Sequence, residues 1–98
     1  MNTENELQNS WDETSEPQLM LRIDRHGQVK LLPYAYLVEV TLEKEDFIRL
    51  EFTSCVIEIT GNDLEEILSP LQKHCLSHLH IGDKIKEIKV SGNSQSEG

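Results

Sequence analysis

From residue 18 to residue 60 apolar and polar positions largely alternate, the period-two pattern of strands with one buried face. "LMLRID" and "QVKLL" flank "RHG", which predicts a hairpin whose three-residue loop carries Gly27 in a left-handed conformation. Pairing Asp24 with Gln28 sets Ile23 opposite Val29 and Leu21 opposite Leu31, so that one face stays apolar. Pro33 then restricts any strand through it to an edge or a bend.

The segment "YLVEVTLEKEDFIRLEFTSCVIEIT" predicts three further strands, because three parity sets follow one another: Tyr36, Val38, Val40, Leu42; then Ile48, Leu50, Phe52; then Cys55, Ile57, Ile59. Matching their faces puts Leu42 opposite Ile48 across a five-residue loop. A turn at Thr53 and Ser54 puts Phe52 opposite Cys55, Leu50 opposite Ile57, Ile48 opposite Ile59 and Arg49 opposite Glu58.

After "TGND" the period becomes helical. Leu64, Ile67, Leu68, Leu71 and Cys75 form one stripe, with Asn62 or Asp63 as N-cap. Pro70 allows either a kinked helix or two abutting turns, the second capped at Ser69. On this stripe Cys75 points into the core. "LSHLHI" alternates again, and in "KIKEIKV" Ile85, Ile88 and Val90 cannot keep one parity without a bulge. The pattern predicts an α+β fold: an antiparallel meander of about five strands, as a curled sheet or partial barrel, followed by one helix and one or two further strands. Its bounds are a disordered acidic tail over residues 1–17, a single domain over 18–90 and a disordered tail over 91–98.

Charge changes this picture little. The formal net charge is −9, but residues 1–18 carry five carboxylates and no Lys or Arg, and Glu97 adds one more. Residues 19–96 are therefore at −3, from twelve acidic and nine basic side chains, and the basic ones form no run. Direct nucleic-acid binding through a phosphate footprint is not expected. Two cysteines are too few for a disulfide framework, the N-terminus has no basic or apolar leader pattern, and no apolar run reaches membrane-spanning length. A cytoplasmic protein without membrane contact is the expectation.

"KHCLSHLHIGD" gathers His74, Cys75, His78 and His80, all able to bind zinc or nickel. With Cys75 in the core and His74 serving the helix end, only His78 and His80 share a strand face. They are the metal candidates, and a third ligand would come from His26, Asp83 or a Glu. No nucleophile elbow, phosphate loop, HExxH or CxxC occurs, and the carboxylate pairs fall on solvated stretches, so neither catalysis nor an obligate cofactor is expected. Leu7 and Trp11, one helical turn apart in the acidic tail, fit an amphipathic docking segment. Tyr34 and Tyr36 either line the core or form an aromatic patch on an edge strand. The leading functional expectation is a small non-enzymatic protein-interaction module of accessory, inhibitor or immunity type. Its partner would be another protein or its own copy as a homodimer, with Leu7, Trp11, Tyr34 and Tyr36 as contacts; divalent-metal binding through His78 and His80 is the alternative.

Overall fold

The computed structural model describes residues 10–92, which fold mostly as β-structure with one short helix. The strands are β1 (Trp11–Glu13), β2 (Met20–Arg25), β3 (Gln28–Pro33), β4 (Leu37–Glu43), β5 (Phe47–Phe52), β6 (Cys55–Gly61), β7 (Leu76–His80) and β8 (Ile85–Gly92). They divide between two open four-stranded sheets, ordered β1-β7-β2-β3 and β4-β5-β6-β8. A single curled meander is thus not what forms. The chain changes sheets after Pro33, where Tyr34–Tyr36 make one 3-10 turn. Proline has no N–H to extend the β3 ladder, so the strand ends there.

The β2–β3 register also differs from the expected one. Arg25 pairs with Gln28, Ile23 with Lys30 and Leu21 with Leu32, leaving only His26 and Gly27 in the turn. Both have positive φ, 45° and 79°, as a two-residue type I′ turn requires. A slip of one residue exchanges the faces of β3. Leu32 joins Leu21 and Ile23 in the core, while Val29 and Leu31 emerge on the outer side.

The second sheet follows the alternation closely. Leu42 lies opposite Ile48, Ile48 opposite Ile59, Arg49 opposite Glu58 and Leu50 opposite Ile57. β8 pairs with β6, with Ile57 opposite Val90 and Ile59 opposite Ile88. The register shifts where Thr60 faces Glu87 but Gly61 faces Ile85, which inserts one extra residue and brings Ile85 and Ile88 both inward. Gly61 is needed at this bulge, because a Cβ there would run into the Lys84 carbonyl.

Between β6 and β7 lie a 3-10 turn, Leu64–Ile67, and the helix α1, Leu68–Gln72. Asp63 precedes them with a left-handed backbone and no side-chain cap; its carboxylate lies 3.5 Å from Lys84 Nζ instead. Leu64, Ile67 and Leu71 are buried in the core as the stripe requires, with Leu68 packed partly buried against it. The stripe does not extend to Cys75. Helix α1 stops at Gln72, so Cys75 sits beyond it, only half-buried, with its thiol 3.6 Å from the Lys73 carbonyl.

Residues 10–17 belong to the fold as well. Trp11 pairs with Leu79 and Asp12 with His78. Thr14 N–H donates to the Cys75 carbonyl at 2.8 Å, Gln18 N–H to that of His74 at 2.7 Å, and His80 N–H to that of Ser10 at 2.9 Å. Polar composition suggested a tail here, but backbone pairing to β7 does not depend on apolar side chains. At the other end, Ser91 and Gly92 continue β8 opposite Val56 and Cys55.

Candidate functional site

Opposed residues in a sheet share a face, so the pairings of the first sheet lay out its outer surface in rows. One row runs Asp12, His78, Arg22, Leu31, from β1 through β7 and β2 to β3; the next runs His80, Asp24, Val29. β7 is antiparallel to β1 but parallel to β2, which carries two histidines of one short segment between carboxylates 12 residues apart in the chain.

His78 lies at the centre of this surface, half-buried. Its Nδ1 is 3.3 Å from Asp12 Oδ2 and its Nε2 is 3.1 Å from Asp24 Oδ2. The second approach is off the direction of a proper hydrogen bond, so the buried Nε2 has a carboxylate neighbour without a well-aligned bond to it. Asp24 is gripped by Arg22, with Nε to Oδ1 at 2.9 Å and a second guanidinium nitrogen to Oδ2 at 3.3 Å. The Arg22 fork holds the Asp24 carboxyl below the usual carboxylate range, against its partial desolvation, with a further contribution from His78. The His80 ring lies 4.8 Å from that of His78, tilted by 48°, and its Nδ1 is 3.3 Å from the Ile81 carbonyl oxygen. Asp12, His78 and His80 each offer one ligand atom within 4.8 Å of the others. The sequence reading found the two histidines but not Asp12, since residue 12 was assigned to a tail; nothing local marks it as facing His78.

The other residues of "KHCLSHLHIGD" stand apart from this cluster. His74, with φ of 63°, ends the helical segment and stacks on Tyr34 at 4.4 Å between ring centroids and 12° between planes. Tyr34 is 4% exposed and its hydroxyl donates to the Leu76 carbonyl at 2.7 Å. Burial pushes that hydroxyl up to about 12. Tyr34 is therefore a core residue and not a docking contact, because the 3-10 turn separates the two tyrosines that shared a parity. Tyr36 is exposed. Trp11 is half-buried against the core with Lys84 Nζ 5.9 Å from its ring centroid, so it anchors β1 and is not a free amphipathic anchor. Leu7 lies outside the described residues.

A residue unremarked in the sequence ties these parts together. Ser10 is buried, and its Oγ accepts hydrogen bonds from the backbone N–H groups of Lys84 and Ile85 at 2.8 and 2.9 Å. It joins the start of β1 to the start of β8.

A second surface feature is apolar. Leu19, Met20, Val29, Leu31, Tyr36 and Val38 are six of the seven large exposed hydrophobic residues among those described, and all fall within residues 19–38. Val29 and Leu31 lie on β3 and Val38 on β4, each an edge strand of its sheet, while Leu19 and Met20 stand at the start of β2 and Tyr36 in the 3-10 turn. Beside β4 a groove of about 480 Å³ has mixed walls, apolar at Leu37, Val38, Val40, Leu68 and Leu71 and polar at Glu39, Gln72 and His74. Among the described residues no helix is long and apolar enough to cross a membrane. No protein family, curated protein or solved structure matches the chain. The class is accordingly defined by the fold itself, a small two-sheet domain whose first sheet carries a histidine-centred polar cluster beside exposed apolar side chains.

Proposed function

We propose that the chain is a protein-interaction module that self-associates through the strip formed by residues 19–38. The observation carrying this reading is the concentration of exposed apolar side chains there, of the kind that marks association surfaces. The occupant proposed is a second copy, on grounds of charge. Of the charged residues in this stretch, only Arg22 and Asp24 share the outer face with Val29 and Leu31, and they pair with each other at 2.9 Å, in a chain at −9. Two copies meeting there bring together apolar side chains beside an already paired carboxylate, not a run of unpaired ones.

The faces meet rather than the edges. Lys30 is opposite Ile23 on the inward side of β3, and Pro33 ends the strand; an inward charge and a proline are both devices that oppose edge-to-edge pairing. Leu19, Met20, Val29 and Leu31 are 89%, 44%, 54% and 56% exposed. Covering them on both copies gains about 8–14 kcal/mol gross, of which association takes back a large part.

Sedimentation equilibrium tests this reading. The expected result is a monomer–dimer equilibrium that strengthens from about 0.1 M to about 0.5 M salt, as screening relieves the repulsion, and that Leu31→Asp abolishes without loss of the folded circular dichroism spectrum. A chain that stays monomeric up to about 500 μM, or a dimer indifferent to Leu31→Asp and Val29→Asp, would overturn it.

A further inference from the structure

We propose that Asp12, His78 and His80 form a divalent-metal site of the zinc class on the outer face of the first sheet, with Asp24 as its supporting carboxylate. Two imidazole nitrogens and a carboxylate oxygen form a donor set suited to zinc and nickel, and three protein ligands leave a fourth position for water.

Three observations carry the assignment. The first is spacing. Donors about 2.0–2.1 Å from a tetrahedral ion stand roughly 3.3–3.4 Å apart, and His78 Nδ1 is 3.3 Å from Asp12 Oδ2. The ligand atoms of the three residues lie within 4.8 Å of one another, so rotation of the exposed Asp12 and the half-buried His80 side chains suffices to close the set.

The second is what the other nitrogen of each ring does. In metal sites a ligating histidine directs its remaining N–H to a carboxylate or a backbone carbonyl, which fixes tautomer and ring orientation. Partners of both kinds stand within reach here, the carboxylate without good hydrogen-bond alignment. His78 Nε2 faces Asp24, itself held by Arg22, leaving Nδ1 for the ion. His80 Nδ1 faces the Ile81 carbonyl, leaving Nε2.

The third is support. Asp12 and His78 are cross-strand partners, and His80 follows at i+2 on the same face of β7. The strands therefore hold the donors together before any ion arrives, and the two carboxylates against Arg22 leave a local excess of negative charge to receive a cation. A proton on His78, satisfying both carboxylates as an imidazolium, is the competing occupant of the same geometry.

Isothermal titration of the full chain with zinc, and separately with nickel, at neutral pH decides between them. The expected result is one ion per chain at about 10 μM or tighter, loss of binding in the His78→Ala, His80→Ala variant, and about tenfold weakening in Asp24→Asn. His74→Ala and His26→Ala should bind as the parent does. Cobalt substitution gives a readout independent of heat: the visible absorption of a four-coordinate ion should appear in the parent and disappear in Asp12→Asn. No zinc or nickel binding tighter than about 100 μM, or binding retained in a folded His78→Ala, His80→Ala variant, would overturn the proposal and leave the Asp12–His78–Asp24 cluster as an ion-pair network. The site shares its sheet face with Val29 and Leu31, so the titration is done at chain concentrations where sedimentation shows a monomer, and its outcome is then read apart from that of self-association.

Discussion

Replacing Ser10 with alanine removes a single oxygen, and its consequence can be worked out from two bonds. The Oγ accepts from Lys84 N–H at 2.8 Å and from Ile85 N–H at 2.9 Å, in a residue 3% exposed. Ile85 is fully buried, so its N–H loses its partner in a place water does not reach, at a cost of about 1–3 kcal/mol. Lys84 is only partly buried, and water replaces part of that bond, so its loss costs about 0.5–1.5 kcal/mol. The sum is about 2–4 kcal/mol, a large share of the roughly 5–15 kcal/mol by which a domain of this kind is stable. Urea unfolding followed by circular dichroism measures it. With a slope near 1 kcal/mol per molar, the midpoint should fall by about 2 M or more at unchanged slope. If residues up to 17 were a tail, the substitution would be silent. A loss under about 0.5 kcal/mol would therefore refute both the bond assignment and the inclusion of β1 in the folded unit.

Three further outcomes follow from the same packing. Burial raises the Tyr34 hydroxyl from 10 to about 12, so its contribution is complete below pH 10 and is lost as pH rises through 12. Stability should fall by about 2–3 kcal/mol across that window in alkaline denaturation, and Tyr34→Phe should remove the dependence while costing about 1 kcal/mol at neutral pH through the orphaned Leu76 carbonyl. Gly61→Ala sets a methyl group against the Lys84 carbonyl and must push β6 and β8 apart; a loss of more than about 3 kcal/mol in thermal or urea unfolding is expected, and a loss below about 1 kcal/mol would contradict the bulge geometry. His26→Asn places a residue that tolerates positive φ at the first centre of the type I′ turn, and should raise stability by a few tenths to about 1 kcal/mol, read as a higher melting temperature.

Where the sequence pattern was clear, it was clear for a physical reason. Ile48, Leu50 and Phe52 in β5 and Cys55, Ile57 and Ile59 in β6 are apolar at every second position, and one register buries them together, so Ile48 opposite Ile59 and Leu50 opposite Ile57 were legible. Ile85, Ile88 and Val90 announced a bulge because no unbroken strand could bury the first two together. The β2–β3 hairpin shows the limit. Leu31 and Leu32 are adjacent and equally apolar, so burial of either is consistent with the pattern, and the two-residue turn at His26 and Gly27 decided for Leu32. Extending the helical stripe to Cys75 failed for a related reason, since periodicity says which residues align but not where α1 stops.

Alternation and its interruptions, then, determined the element types, most of the core and the pairing of β4, β5 and β6, because these depend on neighbours in the chain. Only the tertiary structure decided that the strands form two sheets, that β7 runs between β1 and β2, and that Asp12 and Asp24 flank His78. Those are pairings between segments far apart in the chain, with Asp12 and His78 separated by 66 positions. A carboxylate 66 positions from a histidine carries no local mark of its partner. It is the β1–β7 ladder, built from backbone groups every residue has, that brings the two side chains to 3.3 Å.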